Sequence, residues 1–303
     1  MTASRALREW RAQAARPATC AGEVYPRDTA SLRTALDAWL TLPGPRPRLP
    51  APVRLVVAPH IDYARGAAGY ARAGQALAAA EADLFVVFGT AHATPRRLFT
   101  LTRLDQATPL GLVRTDRPAL GALLAALGEE ELLGDELAHR EEHSIELQLV
   151  ILAHLVRRPF TALPVLCSSI SHLRDPAAAT APFLSTLARV LRGRRVCYLA
   201  GADLAHVGPA YGDPAPPSAR ELARLAAADR HTLGHLESGD AAAFHRYAVR
   251  DDARRRLCGT APIYAALRAS GARARLLHYE QWTDGTDSVS FAAAAGWCQR
   301  SGS

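Results

Sequence analysis

The sequence contains no lysine; its 36 basic side chains are all arginine. Without lysine there is no Schiff-base nucleophile and no phosphate-gripping P-loop lysine. Cysteine is scarce and odd in number, at positions 20, 167, 197, 258 and 298, with no C-x-x-C. That excludes a disulfide framework and a zinc ribbon, and a reducing cytoplasm is the simplest location. No run of about 18 residues is free of charge, so no membrane span is expected. The arginines at 5, 8 and 11 have no apolar stretch behind them, which argues against a secretory signal. The net charge of +7 sits in an Ala- and Arg-rich chain, a balance that codon bias produces as readily as nucleic-acid binding does. No nucleic-acid partner is expected.

What is present is organised around Arg54-Leu-Val-Val-Ala-Pro-His60-Ile-Asp62-Tyr63. A short apolar run with two valines reads as a buried strand. Pro59 lacks an N–H for the ladder and ends it. His60 then falls where the chain leaves a parallel sheet, the edge at which α/β sheets hold ligands. Leu84 to His92 repeats the arrangement, and Arg195 to Asp203 and His206 repeats it again.

The remaining pattern alternates strands and helices. Helices are expected from Asp28 or Ser31 to Leu40, after Gly66 to about 81, and over 117–127, 141–156, 177–192, 219–237, 240–248 and 258–269. Further strands are expected at 97–103, 160–166, 272–279 and 287–293. Residues 44–52, rich in proline, read as a linker, and 207–218 as a loop over the site. This alternation implies a layered α/β domain. Residues 1–17 read as a polar extension and 18–303 as one domain.

Three constellations could carry chemistry. His60, His92 and Cys258 could supply two imidazoles and a thiolate to a metal held with one face open; the ordinary alternative is a set of core residues. Asp203 and His206 could pair an acid with a general acid–base histidine, or Asp203 could simply cap a turn. In Glu141-Glu142-His143-Ser144-Ile145-Glu146, His143 and Glu146 share a helical face. H-E-x-x-H is absent, and acidic residues in a first turn also suit the helix dipole. Cys258 is expected to open a helix beside Arg254, Arg255 and Arg256, a setting that lowers a thiol's pKa. His231 and His235, four apart on an Arg-rich helix, and the arginine run itself read as solvated surface.

The ordered pieces resemble the Memo family, whose bacterial and archaeal members are called AmmeMemoRadiSam system protein B. The pieces are Ala-Gly-Glu-Val-Tyr-Pro (21–26), Ala-Pro-His-Ile-Asp-Tyr (58–63), Gly-Thr-Ala-His (89–92), Thr-Pro-Leu-Gly (108–111) and Glu-His-Ser-Ile-Glu-Leu-Gln-Leu (142–149). Ala-Asp-Leu-Ala-His (202–206), Cys-Gly with Pro-Ile (258–263), Leu-His-Tyr (277–279) and Ser-Val-Ser (288–290) complete the set. The resemblance implies a fold like the class III extradiol dioxygenases: a single α/β domain with a central mixed sheet and helices on both faces. It places His60, His92 and Cys258 at metal-binding positions, His206 at the acid–base histidine, and Asp203 and His143 in the same pocket. Three departures stand out: Ala91 where serine usually precedes the histidine, Val150 in place of proline, and Gln281-Trp282 in place of a small polar pair.

The expectation is therefore a cytoplasmic metalloprotein, foremost a non-heme iron oxygenase or redox enzyme acting on a small molecule. Fe(II) is the first choice of metal, with copper or zinc as alternatives. A peptide- or anion-binding protein using the same pocket, or a zinc hydrolase, is the rival reading. A homo-oligomer is left open; no membrane partner is expected.

Overall fold

The computed structural model describes residues 3–44, 49–50, 52–250 and 252–297; most of the proline-rich linker and Cys298 lie outside them. The strands in chain order are β1 Ala15–Arg16, β2 Leu55–Ala58, β3 Leu84–Thr90, β4 Phe99–Leu101, β5 Asp105–Thr108 and β6 Gly111–Val113. After them come β7 Thr161–Cys167, β8 Val196–Gly201, β9 Asp203–Val207, β10 Arg273–Thr283 and β11 Ser288–Trp297. Eight of them form one sheet in the order β10-β11-β2-β8-β3-β7-β4, with β9 pairing β11 off that path. The central pairs β2–β8, β8–β3 and β3–β7 are parallel. The flanking pairs β10–β11, β11–β2 and β7–β4 are antiparallel. The result is a single-domain α/β fold with a mixed sheet.

Alternation within the strands divides the core. Leu55, Val57, Val86, Phe88, Leu163 and Val165 face one side, beneath helices Arg117–Leu127, Pro176–Val190, Ala241–Ala248 and Thr260–Ser270. Val56, Ala58, Phe85, Val87, Ala162 and Leu199 face the other, beneath Thr29–Leu40, Ala67–Ala79 and His143–Leu155. Both faces are covered, so the central strands are apolar throughout, as parallel strands must be.

Short polar residues start the helices. Asp28, Asp116, Asp175 and Asp240 each accept a backbone N–H three residues on. Ser218 and Glu221 form a reciprocal capping box on the long helix Ala219–Ser238, which satisfies two otherwise orphaned donors. Val150 lets His143–Leu155 run unbroken for 13 residues.

The amino-terminal residues are built into the domain. Trp10, in helix Ala3–Arg11, is buried, and β1 pairs in parallel with β5 in a second, three-stranded sheet. Among the described residues no helix is long and apolar enough to cross a membrane.

Candidate metal centre

β2, β3 and β8 run parallel, so their carboxyl ends emerge at one edge and deliver His60, His92 and Asp203 there. The first turns of helix His143–Leu155 lie across that edge and fasten it. Ser144 Oγ donates to the Thr90 carbonyl at 2.8 Å, and Gln148 Nε2 donates to the Pro59 carbonyl at 2.7 Å. A Cβ at residue 201 would sit 2.4 Å from the Ser144 carbonyl oxygen, so glycine is what lets the helix approach the end of β8.

Each imidazole is oriented from behind. His60 donates its backbone N–H to Asp203 Oδ1 at 2.9 Å, and its Nδ1 lies 3.0 Å from the Gly201 carbonyl oxygen. A carbonyl only accepts, so Nδ1 carries the proton and Nε2 presents a lone pair. His92 donates its backbone N–H to Glu142 Oε2 at 2.9 Å, and its Nδ1 stands 2.9 Å from Oε1. The carboxylate likewise fixes the proton on Nδ1 and frees Nε2, the arrangement that backs metal-ligating histidines.

Cys258 closes the set. Thr90 Oγ1 donates to its carbonyl at 3.0 Å, and Gly259 N–H donates to the Asp203 carbonyl at 3.0 Å. Sγ then lies 3.3 Å from His60 Nε2. One donor atom each from His60, His92 and Cys258 lies within 4.8 Å of the others, close enough to share an ion. His92, Glu142 and His143 make a second such group, but Glu142 already accepts from His92 twice over and from the Ser144 N–H.

His143 stacks on His92 with ring centroids 4.6 Å apart and meets His60 edge-on at 5.3 Å. His206 sits in β9 with Nδ1 3.0 Å from the Leu204 carbonyl oxygen, which leaves its Nε2 free. His60, His92, His143, Asp203, His206 and Cys258 all line one cavity of about 590 Å³. Ile61, Val289 and Tyr211 supply apolar wall, and Arg65 and Arg256 supply positive charge.

Burial sets the protonation of this cluster. It pushes His60 well below the usual imidazole range, helped by the neighbouring His143 and His92 charges. It lowers His143 and His206 as well. His92 is raised because its bond to Glu142 and that carboxylate's charge outweigh the effect of burial. Glu142 is brought down to about 2 because His92 outweighs the burial that would raise it. Burial pushes Asp203 up to about 7.

A profile of the family described as Memo-like protein matches residues 16–296. The chain belongs to the Memo-like family. A MEMO1 family protein of Thermus thermophilus is 35% identical over 228 residues, covering 73% of this chain and 63% of that protein. One from Methanopyrus kandleri is 30% identical over 292 residues, covering 91% of this chain and 95% of its own. One from Methanococcoides burtonii is 32% identical over 196 residues, covering 64% of this chain and 69% of its own. The match to the Thermus relative thus spans less than two thirds of that protein.

Within this Memo-like frame, the six residues that the resemblance placed at the site come to one cavity. Some details differ from expectation. Asp203 and His206, expected at the end of the strand that is β8, lie within a further strand, β9. Glu146 faces away from the centre, toward Arg16, Thr19, Cys20 and Tyr25. The Cys258 thiol is not acidified: burial and the Asp203 charge push its pKa well up. The arginines expected to acidify it are engaged elsewhere, Arg255 with Asp229 and Arg256 with Asp213. Only a bound cation would make it a thiolate.

Glu142 is the residue that sequence reasoning missed, having been assigned to dipole complementarity. Its adjacency to His143 was the available signal, but the bond to His92 spans 50 positions. Tyr211 was hidden in a loop without pattern. Its ring stands 5.0 Å from that of His206.

Proposed function

We propose that this Memo-like protein is a metal-dependent enzyme, a non-heme iron oxidoreductase of the dioxygenase-like kind, acting on a small molecule bound in the histidine-lined cavity. The observation that carries the reading is the convergence of His60 Nε2, His92 and Cys258 Sγ within 4.8 Å, with both rings held from behind by hydrogen-bond acceptors. Two imidazoles and a thiolate suit Fe(II), copper or zinc and not magnesium or calcium, which prefer oxygen. When bound, such an ion supplies a Lewis-acidic and, for iron or copper, redox-active centre.

The chain's own residues would do the rest. His206 holds a proton on Nδ1 against the Leu204 carbonyl and offers a neutral Nε2 to the cavity, so at neutral pH it can take a proton from a substrate and return it. Asp203 holds the His60 backbone in place. Tyr211, Ile61 and Val289 give an apolar surface that excludes water from one side of the substrate. A binding protein has no need of a free, neutral imidazole there, which favours the enzyme reading over a peptide- or anion-binding one.

Metal analysis of anaerobically purified protein tests this. About one iron per chain is expected in the wild type, lost in His60→Ala and in His92→Ala and retained in His206→Ala. Zinc alone would favour the hydrolase, and a metal-free wild type would return the cavity to ligand binding without chemistry.

A further inference from the structure

Beside the histidine-lined cavity lies a second one, of about 470 Å³, between the loop after β9 and helix Ala219–Ser238. Four guanidinium groups wall it: those of Arg224, Arg254, Arg255 and Arg256. The acids on its wall are Asp213 and Glu221. Asp213 is taken by Arg256, and Glu221 by Arg254 at 3.8 Å. Arg224 makes no ion pair among the described residues.

Arg255 is buried, its side chain only 4% exposed, and is paired with Asp229 at 2.7 Å. Its Nε–H has no hydrogen-bond partner. That N–H is itself buried, and the Nη atoms donate to the Tyr247 carbonyl, Asp229 and Thr232, so Arg255 lines the cavity without a free donor to offer it. Pro216, Pro217, Leu225 and Val207 form an apolar side of the same cavity.

Arg256 belongs to both cavities. It is the one non-glycine residue with positive φ, at 48°, among those described. That left-handed conformation is unfavourable for a residue with a Cβ, and the surroundings hold it there. Arg256 Nη1 donates to the His206 carbonyl at 3.0 Å, and the guanidinium pairs with Asp213 on the loop.

We infer that the arginine-walled cavity is a binding site for a small amphipathic anion, an organic phosphate or carboxylate whose charged group meets Arg224 and Arg254 and whose apolar body lies on the prolines and Leu225. Arginine forks suit such oxyanions, two oxygens at a time. The inference does not depend on the metal reading, because neither arginine lines the histidine cavity.

Isothermal titration of the full chain with phenyl phosphate, and separately with inorganic phosphate, tests it. Phenyl phosphate should bind, and more tightly than inorganic phosphate because of the apolar side. Arg224→Gln combined with Arg254→Gln should weaken it by about 10-fold or more. Both arginines are exposed, so the double variant should fold; circular dichroism and melting checks that. His92→Ala should leave the affinity unchanged, since His92 lines only the other cavity. The proposal is overturned by no binding at millimolar phenyl phosphate, equal affinity for the two probes, an unaffected double variant, or loss of binding in His92→Ala.

Discussion

At Asp203 the hydrogen bonding and the burial pull in opposite directions. The carboxyl accepts the His60 N–H at 2.9 Å, which favours the anion, yet burial dominates and raises its pKa from 3.8 to about 7. An acid whose folded pKa exceeds its unfolded value binds more protons in the native state between those two values. Metal-free protein therefore loses stability as pH rises from about 4 to 7, and by pH 8 the cost has reached as much as about 4 kcal/mol. Asp203→Asn keeps an oxygen for the His60 N–H and removes the ionisation. Urea unfolding of the apo proteins should thus show the variant more stable than wild type at pH 8 and nearly equal at pH 4. Parallel stability curves would mean that Asp203 is not desolvated as described. A cation beside the carboxylate favours its charged form, so metal should shrink the difference.

At the scale of elements, the candidate site depends on how closely three strand ends and two helix starts can approach. Gly259 is one such contact. A Cβ there would sit 2.3 Å from the Asp203 carbonyl oxygen and 2.7 Å from the Ala202 Cβ, neither of which is the end of a flexible side chain. Gly259→Ala should force Cys258 away from β9, costing about 1–3 kcal/mol and weakening metal retention. Gly234, mid-helix with nothing within 4 Å of its missing Cβ, is the control: Gly234→Ala should stabilise by about 0.5–1 kcal/mol. Melting of the two variants side by side checks both, and a neutral Gly259→Ala would show that the segment has room to move. This is also where sequence reading works and where it stops. Helix Arg117–Leu127 and strands β3, β7 and β8 were legible because an apolar period is local and Asp or Pro marks the ends. His60, His92 and Asp203 were legible because each follows such a strand. The strands of the hairpin β5–β6 were not, since Asp105–Thr108 and Gly111–Val113 carry no alternation; only the turn Thr108-Pro-Leu-Gly111 between them is a local signal. β9 escaped for a related reason: a single residue, Ala202, separates it from β8.

Over the whole molecule, the amino-terminal segment and the metal-candidate edge are joined through one buried ion pair. The Arg16 guanidinium donates to Glu146, to the carbonyls of His139 and Glu142, and to Thr19. Arg16 thus holds the start of helix His143–Leu155, which carries His143 and follows Glu142, the acceptor for His92. Glu146 in turn accepts from Tyr25, Thr19 and the Cys20 N–H. A polar, arginine-rich opening looked peripheral because the partners that bury it lie more than a hundred residues away in the chain. Arg16→Ala would leave Glu146 as a buried carboxylate without its cation, a change that costs about 3–5 kcal/mol. Burial alone would raise the Glu146 pKa, yet Arg16 and the other donors lower it from its usual 4.5. The pair's contribution is therefore present above about pH 4.5 and fades as pH falls below it. The difference between wild type and Arg16→Ala in urea midpoint should be large at pH 7 and narrow toward pH 3. Arg16→Ala with Glu146→Gln should recover part of the loss, because the orphaned charge is gone. A cost under about 1 kcal/mol at pH 7 would mean that the segment is an appendage and that the helix start holds the metal-candidate edge without it.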